Sequence, residues 1–348
     1  METYNALALQ FDSPAVNAYT AIDDARASMM AAIERAGALS LSSIRFIGSF
    51  SGVTTRLVVL PEYFMTGFPM GESIAGWNEK ACVDMDGAEY EALGKVASTC
   101  NAYLSGNLYE RDPHFPGLYF QTSFILNPSG DVILRYRRLV SMYAPTPHDV
   151  LDKYLDIYGA DSLFPVVETE LGKLACVASE EILYPEITRC LALRGAEVIC
   201  HSSSEVGTLG KSPKNIAKQA RAFENGCYIV SANSGGVSGI NFPSQSTDGH
   251  SQVVSYDGKV LCEAGFGESM YANAEIHIDN QREFRSRPAM VNCLARQRLE
   301  LFASTYGCAS VYPANTMLRD GEIVVPERAH FGQQIQAGIA ALKARGVL

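Results

Sequence analysis

Residues Gly172 to Gly195 read GKLACVASEEILYPEITRCLALRG. The run opens with a short apolar segment, Leu174 to Ala178, that stops at a polar tip, Ser179-Glu180-Glu181. Tyr184-Pro185-Glu186 follows and leads into a helical pattern from Ile187 to Leu193. Gly195 closes that helix, and a second apolar run, Ala196 to Cys200, comes next. Strand, loop, helix, strand is the order of a βαβ unit. It predicts an α/β sheet with Ser179 at the carboxyl end of a strand, where catalytic groups tend to collect.

The chain upstream repeats this logic. Arg56 to Leu60 reads as a strand ending in Pro61-Glu62. A carboxylate there is either an acid in a solvated loop or a general base beside a pocket. Tyr119 to Leu126 and Val132 to Tyr136 form a hairpin around Pro128-Ser129-Gly130-Asp131, and its second strand runs into Tyr136-Arg137-Arg138. Near the N-terminus, Tyr4 to Phe11 reads as a strand. Ala15 to Ala36 has helical periodicity through Ile22, Ala25, Met29 and Ile33. Leu39 to Thr55, rich in Ser and Gly, reads as an extended surface insertion, and Met70 to Lys80 reads as a loop. Asp86 to Cys100 and Pro213 to Gly226 read as helices, and Cys227 to Ala232 as a late strand. A last helix is expected near Gln333 to Lys343.

At 348 residues the chain is long enough for one large domain with a deep core. Its 28 Lys plus Arg against 38 Asp plus Glu give a net charge of -10, which argues against nucleic acid and anionic membrane as partners. The nine cysteines have no C-x-x-C spacing, and those in apolar runs, such as Cys176, Cys200 and Cys227, read as buried thiols in a reducing compartment. The six histidines have no ligand spacing, so neither a metal nor another cofactor is expected. No signal-peptide pattern opens the chain, and no apolar run is long enough to span a bilayer. The expected location is cytoplasmic.

Four landmarks, Leu60-Pro61-Glu62, Tyr136-Arg137-Arg138, Tyr184-Pro185-Glu186 and Arg194-Gly195-Ala196-Glu197, occur in one order along the chain. Together they resemble the nitrilase superfamily, the carbon-nitrogen hydrolases that include nitrilases, aliphatic amidases, formamidases and N-carbamoyl amidohydrolases. The resemblance implies a four-layer αββα sandwich over residues 1–298, with two sheets face to face and helices outside. Residues 299–348 would form a C-terminal arm and helix packed on the domain or on a partner subunit. Relatives pair through helices near the nucleophile, so a homodimer or higher oligomer is implied. The substrate is expected to be a small molecule.

The family's catalytic set is a Glu, a Lys and a Cys. Glu62 matches the Glu, and Arg138 stands where the Lys is expected. Ser179 stands where the Cys is expected, six residues before Pro185. Many relatives keep a second Glu eight residues beyond the Lys; here that position is Thr146, with His148 close behind. A Ser hydroxyl needs an aligned base to attack a carbonyl carbon. Glu62 could serve as that base. Arg138 offers fixed donors for a developing oxyanion but no releasable proton.

Three readings stay open. The first is hydrolysis of an amide, nitrile or N-carbamoyl carbon-nitrogen bond through Ser179. The second is a catalytically inactive relative with a binding or regulatory role, in which Glu62 and Arg138 form a plain ion pair. The third is another reaction, such as hydration or acyl transfer, in the same pocket. Glu181, His148, His201, Glu205 and Trp77 are candidate pocket residues. Against them stand plainer roles: a solvated acid, loop residues, and an indole that covers core. Cys176 lies an odd number of residues before Ser179 and reads as core.

Overall fold

The computed structural model describes residues 2–204, 212–247 and 249–348. Its second sheet is built on the βαβ unit just quoted. The strand Gly172–Ala178 runs into a 3-10 turn, Ser179–Leu183, then the helix Pro185–Leu193, then the strand Val198–Ser203. The two strands are parallel, with Leu174 opposite Val198 and Ala178 opposite Ser202. Gly195 makes the return at φ 99°, a left-handed conformation that suits glycine. A second crossover through the helix Pro213–Asn225 places Tyr228–Asn233 parallel on the far side of Val198–Ser203. Gln252–Val254, Val260–Glu263 and Val167–Thr169 complete six strands.

The first sheet runs in the order Asn273–Ile276, Tyr4–Ala8, Thr55–Val59, Tyr103–Arg111, Phe120–Leu126, Val132–Arg137. A short seventh strand, Val83–Asp84, pairs with Tyr103–Arg111. Alternate residues divide its two faces. Ala6, Ala8, Leu57, Val59, Ile125 and Tyr136 pack with Leu174, Cys176 and Ala178 of the second sheet. Leu7, Val58, Leu104 and Phe124 pack under helical Met29, Ile33, Leu93 and Ala97. With helices Pro185–Leu193 and Pro213–Asn225 against the second sheet, the layers are α, β, β, α, as expected. Both faces of the central strands are covered, so LACVA is apolar throughout rather than alternating.

Several local expectations are corrected. The first helix spans Ile22–Ser51, well past Ala36, and the stretch taken for an insertion is its second half. Ser40 and Ser51 satisfy their hydroxyls on the carbonyls of Ala36 and Ile47, four residues back. Ser40, Ser43 and Ile47 prolong the buried stripe. Gly37 lets this helix approach Val96 of the helix Ala88–Cys100, since a Cβ there would lie 2.8 Å from the valine side chain. Met70 to Lys80 is not all loop: Ile74–Ala81 is a helix, capped by the Ser73 hydroxyl, which accepts from the Gly76 N–H. Past the last sheet strand, Ile278–Ser286 and Leu299–Gly307 are helices.

The C-terminal residues return to the domain. Met317 and Phe331 are buried in the core beneath the first sheet, and the last helix spans Ala329–Ala344. Among the described residues, no helix is long and apolar enough to cross a membrane.

Candidate active site

Three strands deliver three polar side chains to one place. Glu62 follows Thr55–Val59, Arg138 follows Val132–Arg137, and Ser179 follows Gly172–Ala178. All three line one cavity of about 650 Å³, at the carboxyl ends of the strands. Tyr63, Phe68, Met70, Tyr109 and Tyr143 supply much of its apolar wall.

Ser179 is held in a costly conformation. Its φ is 48°, in the left-handed region that a residue with a Cβ enters at about 1 kcal/mol or more. Two buried groups hold the turn in place. His201 Nε2 donates to the Ser179 carbonyl at 2.8 Å. A carbonyl only accepts, so Nε2 carries the proton and Nδ1 accepts from Ser231 Oγ, also at 2.8 Å. Burial, and then the nearby Lys218 cation, hold His201 well below the usual histidine range, which fits this neutral tautomer.

Glu181 is the second group. One carboxylate oxygen accepts from the backbone N–H groups of Leu139 and Val140, at 2.7 and 3.1 Å. The other accepts from Tyr136 Oη at 2.8 Å and the Ala178 N–H at 3.3 Å. Glu181 thus ties the segment after Arg138 to the turn that carries Ser179. Burial pushes its carboxyl up to about 7, with Arg138 and these donors pulling the other way.

Arg138 is bracketed by acceptors. Nη1 donates to Glu62 Oε1 at 3.3 Å and to Gln121 Oε1 at 2.6 Å. Nη2 donates to Glu180, and Nε to the Val140 carbonyl at 2.7 Å. Burial opposes its charge, but Tyr63, Glu62 and Glu180 outweigh that and hold the guanidinium above its ordinary range. Gln121 completes the set: its amide nitrogen donates to Glu62 Oε1 and, at 2.9 Å, to Asn107 Oδ1. Lys214, on the first turn of the helix Pro213–Asn225, reaches in from the other wall. Its Nζ lies 3.4 Å from Ser179 Oγ and 3.3 Å from Ser203 Oγ.

The remaining candidates separate. His201 does not face the cavity; both ring nitrogens are spent beneath Ser179. Glu181 is no solvated acid and no pocket wall, because four donors occupy it. Trp77 is fully buried, its ring edge-on to Tyr109 at 5.7 Å, so it backs a wall residue rather than forming the wall. His148 sits in the 3-10 turn Pro147–Val150 with its ring 5.9 Å from Tyr312, away from the cavity lining. Glu205 lies outside the described residues. Cys176 is buried between the sheets with Sγ 3.7 Å from Ser105 Oγ, and burial drives its thiol well above the usual range. Among the described residues, no group of three or more His, Cys, Asp or Glu side chains is arranged to hold a metal ion.

Gln121 and Lys214 escape the sequence reading. Gln121 and Asn107 are buried polar residues on neighbouring strands, and their side chains meet across the Tyr103–Arg111 and Phe120–Leu126 pair. Lys214 left no signal, since a lysine on a first helical turn is an ordinary surface residue.

The chain is similar to known proteins in sequence and fold. Residues 27–286 match the family described as carbon-nitrogen hydrolase. A formamidase of Helicobacter acinonychis is 26% identical over 287 residues, 81% of this chain and 77% of that protein. The omega-amidase NIT2-B of Xenopus laevis is 24% identical over 234 residues, 67% of this chain and 80% of that protein. Among solved structures, Nit3 of Saccharomyces cerevisiae, a member of branch 10 of the nitrilase superfamily, superposes with a TM-score of 0.64 at 20% identity, covering 85% of this chain and 97% of that one.

Proposed function

This chain belongs to the carbon-nitrogen hydrolase family, and from that premise we propose that it cleaves a non-peptide carbon-nitrogen bond through an atypical nucleophile, Ser179. Glu62 is the general base for the Ser179 hydroxyl. Arg138 stabilises the charge that develops on the substrate oxygen. Its guanidinium has five N–H groups; four contacts use Nε, both Nη1 hydrogens and one on Nη2, which leaves one Nη2 hydrogen for substrate. A backbone N–H of the Ser179 turn would supply a second donor. Water then releases the acyl group from Ser179.

The observation that carries this reading is the convergence of Glu62, Arg138 and Ser179 on one cavity, which at about 650 Å³ is in the range of small-molecule sites. The aromatic wall suits a small or medium organic amide. The ion pair between Arg138 and Glu62 at 3.3 Å is what a non-catalytic relative would also keep. The space above Ser179 favours catalysis or binding over a purely structural pair, which has no need of an open cavity.

The test is a panel of amides, nitriles and N-carbamoyl compounds, followed by ammonia release and intact protein mass. The expected result is turnover with an acyl adduct, both lost in Ser179→Ala. A folded protein with neither turnover nor adduct across the panel would support the non-catalytic relative.

A further inference from the structure

The serine reading does not fix which group protonates the departing nitrogen. An amide nitrogen leaves as a neutral amine only if it is protonated as the carbon-nitrogen bond breaks. Arg138, which stands where the family places a lysine, keeps its protons near neutrality. Glu62, which takes the Ser179 proton, is held on Oε1 by Gln121 and Arg138, and it keeps that proton until Ser179 Oγ is released. Among the described residues, the side chain that hydrogen-bonds Ser179 Oγ is Lys214, at 3.4 Å. It also lines the same cavity. Once Oγ has attacked, the departing nitrogen is bonded to the carbon that Oγ holds, two bonds from the atom Lys214 already touches. A lysine ammonium, unlike a guanidinium, has a proton that it can exchange with a reacting group.

Resting on the serine reading above, we propose that Lys214 is a catalytic residue, the acid that protonates the departing nitrogen and the base that later activates water. The steps balance. In acylation the Ser179 O–H proton passes to Glu62 as the Oγ–C bond forms. Lys214 gives a proton to nitrogen, the C–N bond breaks, and ammonia or an amine leaves with the bonding electron pair. In deacylation the neutral Lys214 amine takes a proton from water, and the hydroxide attacks the ester carbon. Glu62 returns its proton to Ser179 Oγ as that bond breaks. The net change is amide plus water to acid plus amine, with all three side chains restored. Arg138 then supplies the fixed charge and Lys214 the proton transfer.

The experiment compares wild type, Lys214→Met and Lys214→Arg on two probes with the same acyl group: the amide that the wild-type protein turns over, and its 4-nitrophenyl ester. Nitrophenolate leaves without a proton, so the ester needs Lys214 only for deacylation. Both variants should lose at least about 100-fold in amide turnover. With the ester, both should still release one nitrophenolate per protein in a burst and then stall, with an acyl adduct on Ser179 visible by intact mass. A merely structural role for Lys214 would remove the burst as well. Amide turnover in Lys214→Met within a few-fold of wild type overturns the proposal while leaving Ser179 as nucleophile. A wild-type protein that gives neither burst nor adduct, or whose burst survives Ser179→Ala, overturns the serine reading and this proposal with it.

Discussion

At Ser179 the chain trades stability for geometry. A non-glycine residue at φ 48° is strained, and Ser179→Gly should relieve that strain, raising stability by about 1 kcal/mol in urea titration while abolishing activity. A variant less stable than wild type would mean that the contacts of the hydroxyl outweigh the strain. His201→Phe removes the donor to the Ser179 carbonyl and should cost about 1–3 kcal/mol in the same assay, because it leaves a buried acceptor unpaired. Glu181 gives a pH signature. Its carboxyl is raised from 4.5 to about 7 in the folded state, so between those values the folded chain binds the extra proton. Its contribution to stability is therefore full below about 4.5, is lost by up to about 3 kcal/mol as pH rises to about 7, and is level above that. Glu181→Gln should flatten that slope and also destabilise, since an amide nitrogen would face N–H donors. Denaturant midpoints from pH 5 to 8 check both effects. The roles of these residues were only partly legible. Glu62, Arg138 and Ser179 could be picked out because they stand at the positions that the family resemblance marks, beside Leu60-Pro61-Glu62, Tyr136-Arg137-Arg138 and Tyr184-Pro185-Glu186. His201 and Glu181 could be named but not assigned, because their work depends on which backbone groups the fold brings beside them.

At the scale of elements, two lip segments depend on the C-terminal arm. Arg328 Nε donates to the Glu72 carbonyl at 2.6 Å, and Nη1 donates to the Tyr143 carbonyl at 2.5 Å. Glu72 in turn accepts from the Met70 N–H at 2.7 Å. Met70 and Tyr143 both line the cavity, so Arg328 clasps its two lips. Arg328→Ala should raise KM for the turned-over amide by about 3–10-fold with a smaller change in kcat, the worth of one or two hydrogen bonds. Steady-state kinetics check it, and an unchanged KM would place the clasp outside substrate binding. Elements with both an apolar period and a turn signal were legible: the hairpin at Pro128 to Asp131, the helix ending before Gly226, the βαβ unit itself. The second half of Ile22–Ser51 was not. Its serines satisfy themselves within the helix, and the gain of burying Ser40, Ser43 and Ile47 overrides their weak propensity.

At the scale of the molecule, the four layers follow from strands that are apolar on both faces and helices that are apolar on one. That much was written in the order of the landmarks. How copies associate is not written there. Tyr184 and Leu193, flanking and within the helix Pro185–Leu193, are exposed together with Leu299, Phe302 and Tyr306. Tyr306 Oη donates to Glu186 at 2.7 Å, so the C-terminal arm borders this apolar face. We propose that the face pairs two copies and that residues 299–348 act as an arm on the domain. Light scattering after size exclusion should give at least a dimer, and Leu193→Glu with Phe302→Glu should give a monomer. A wild-type monomer at micromolar concentration would refute the pairing.

The central claim is the nucleophile, and one measurement reaches it directly. Wild-type protein is mixed with a turned-over amide or its 4-nitrophenyl ester, quenched in acid, and mapped by peptide mass spectrometry. The acyl mass is predicted on the peptide spanning Ser179, on the serine itself, and absent from Ser179→Ala. An acyl group on any other residue, or turnover that persists in Ser179→Ala, would contradict it.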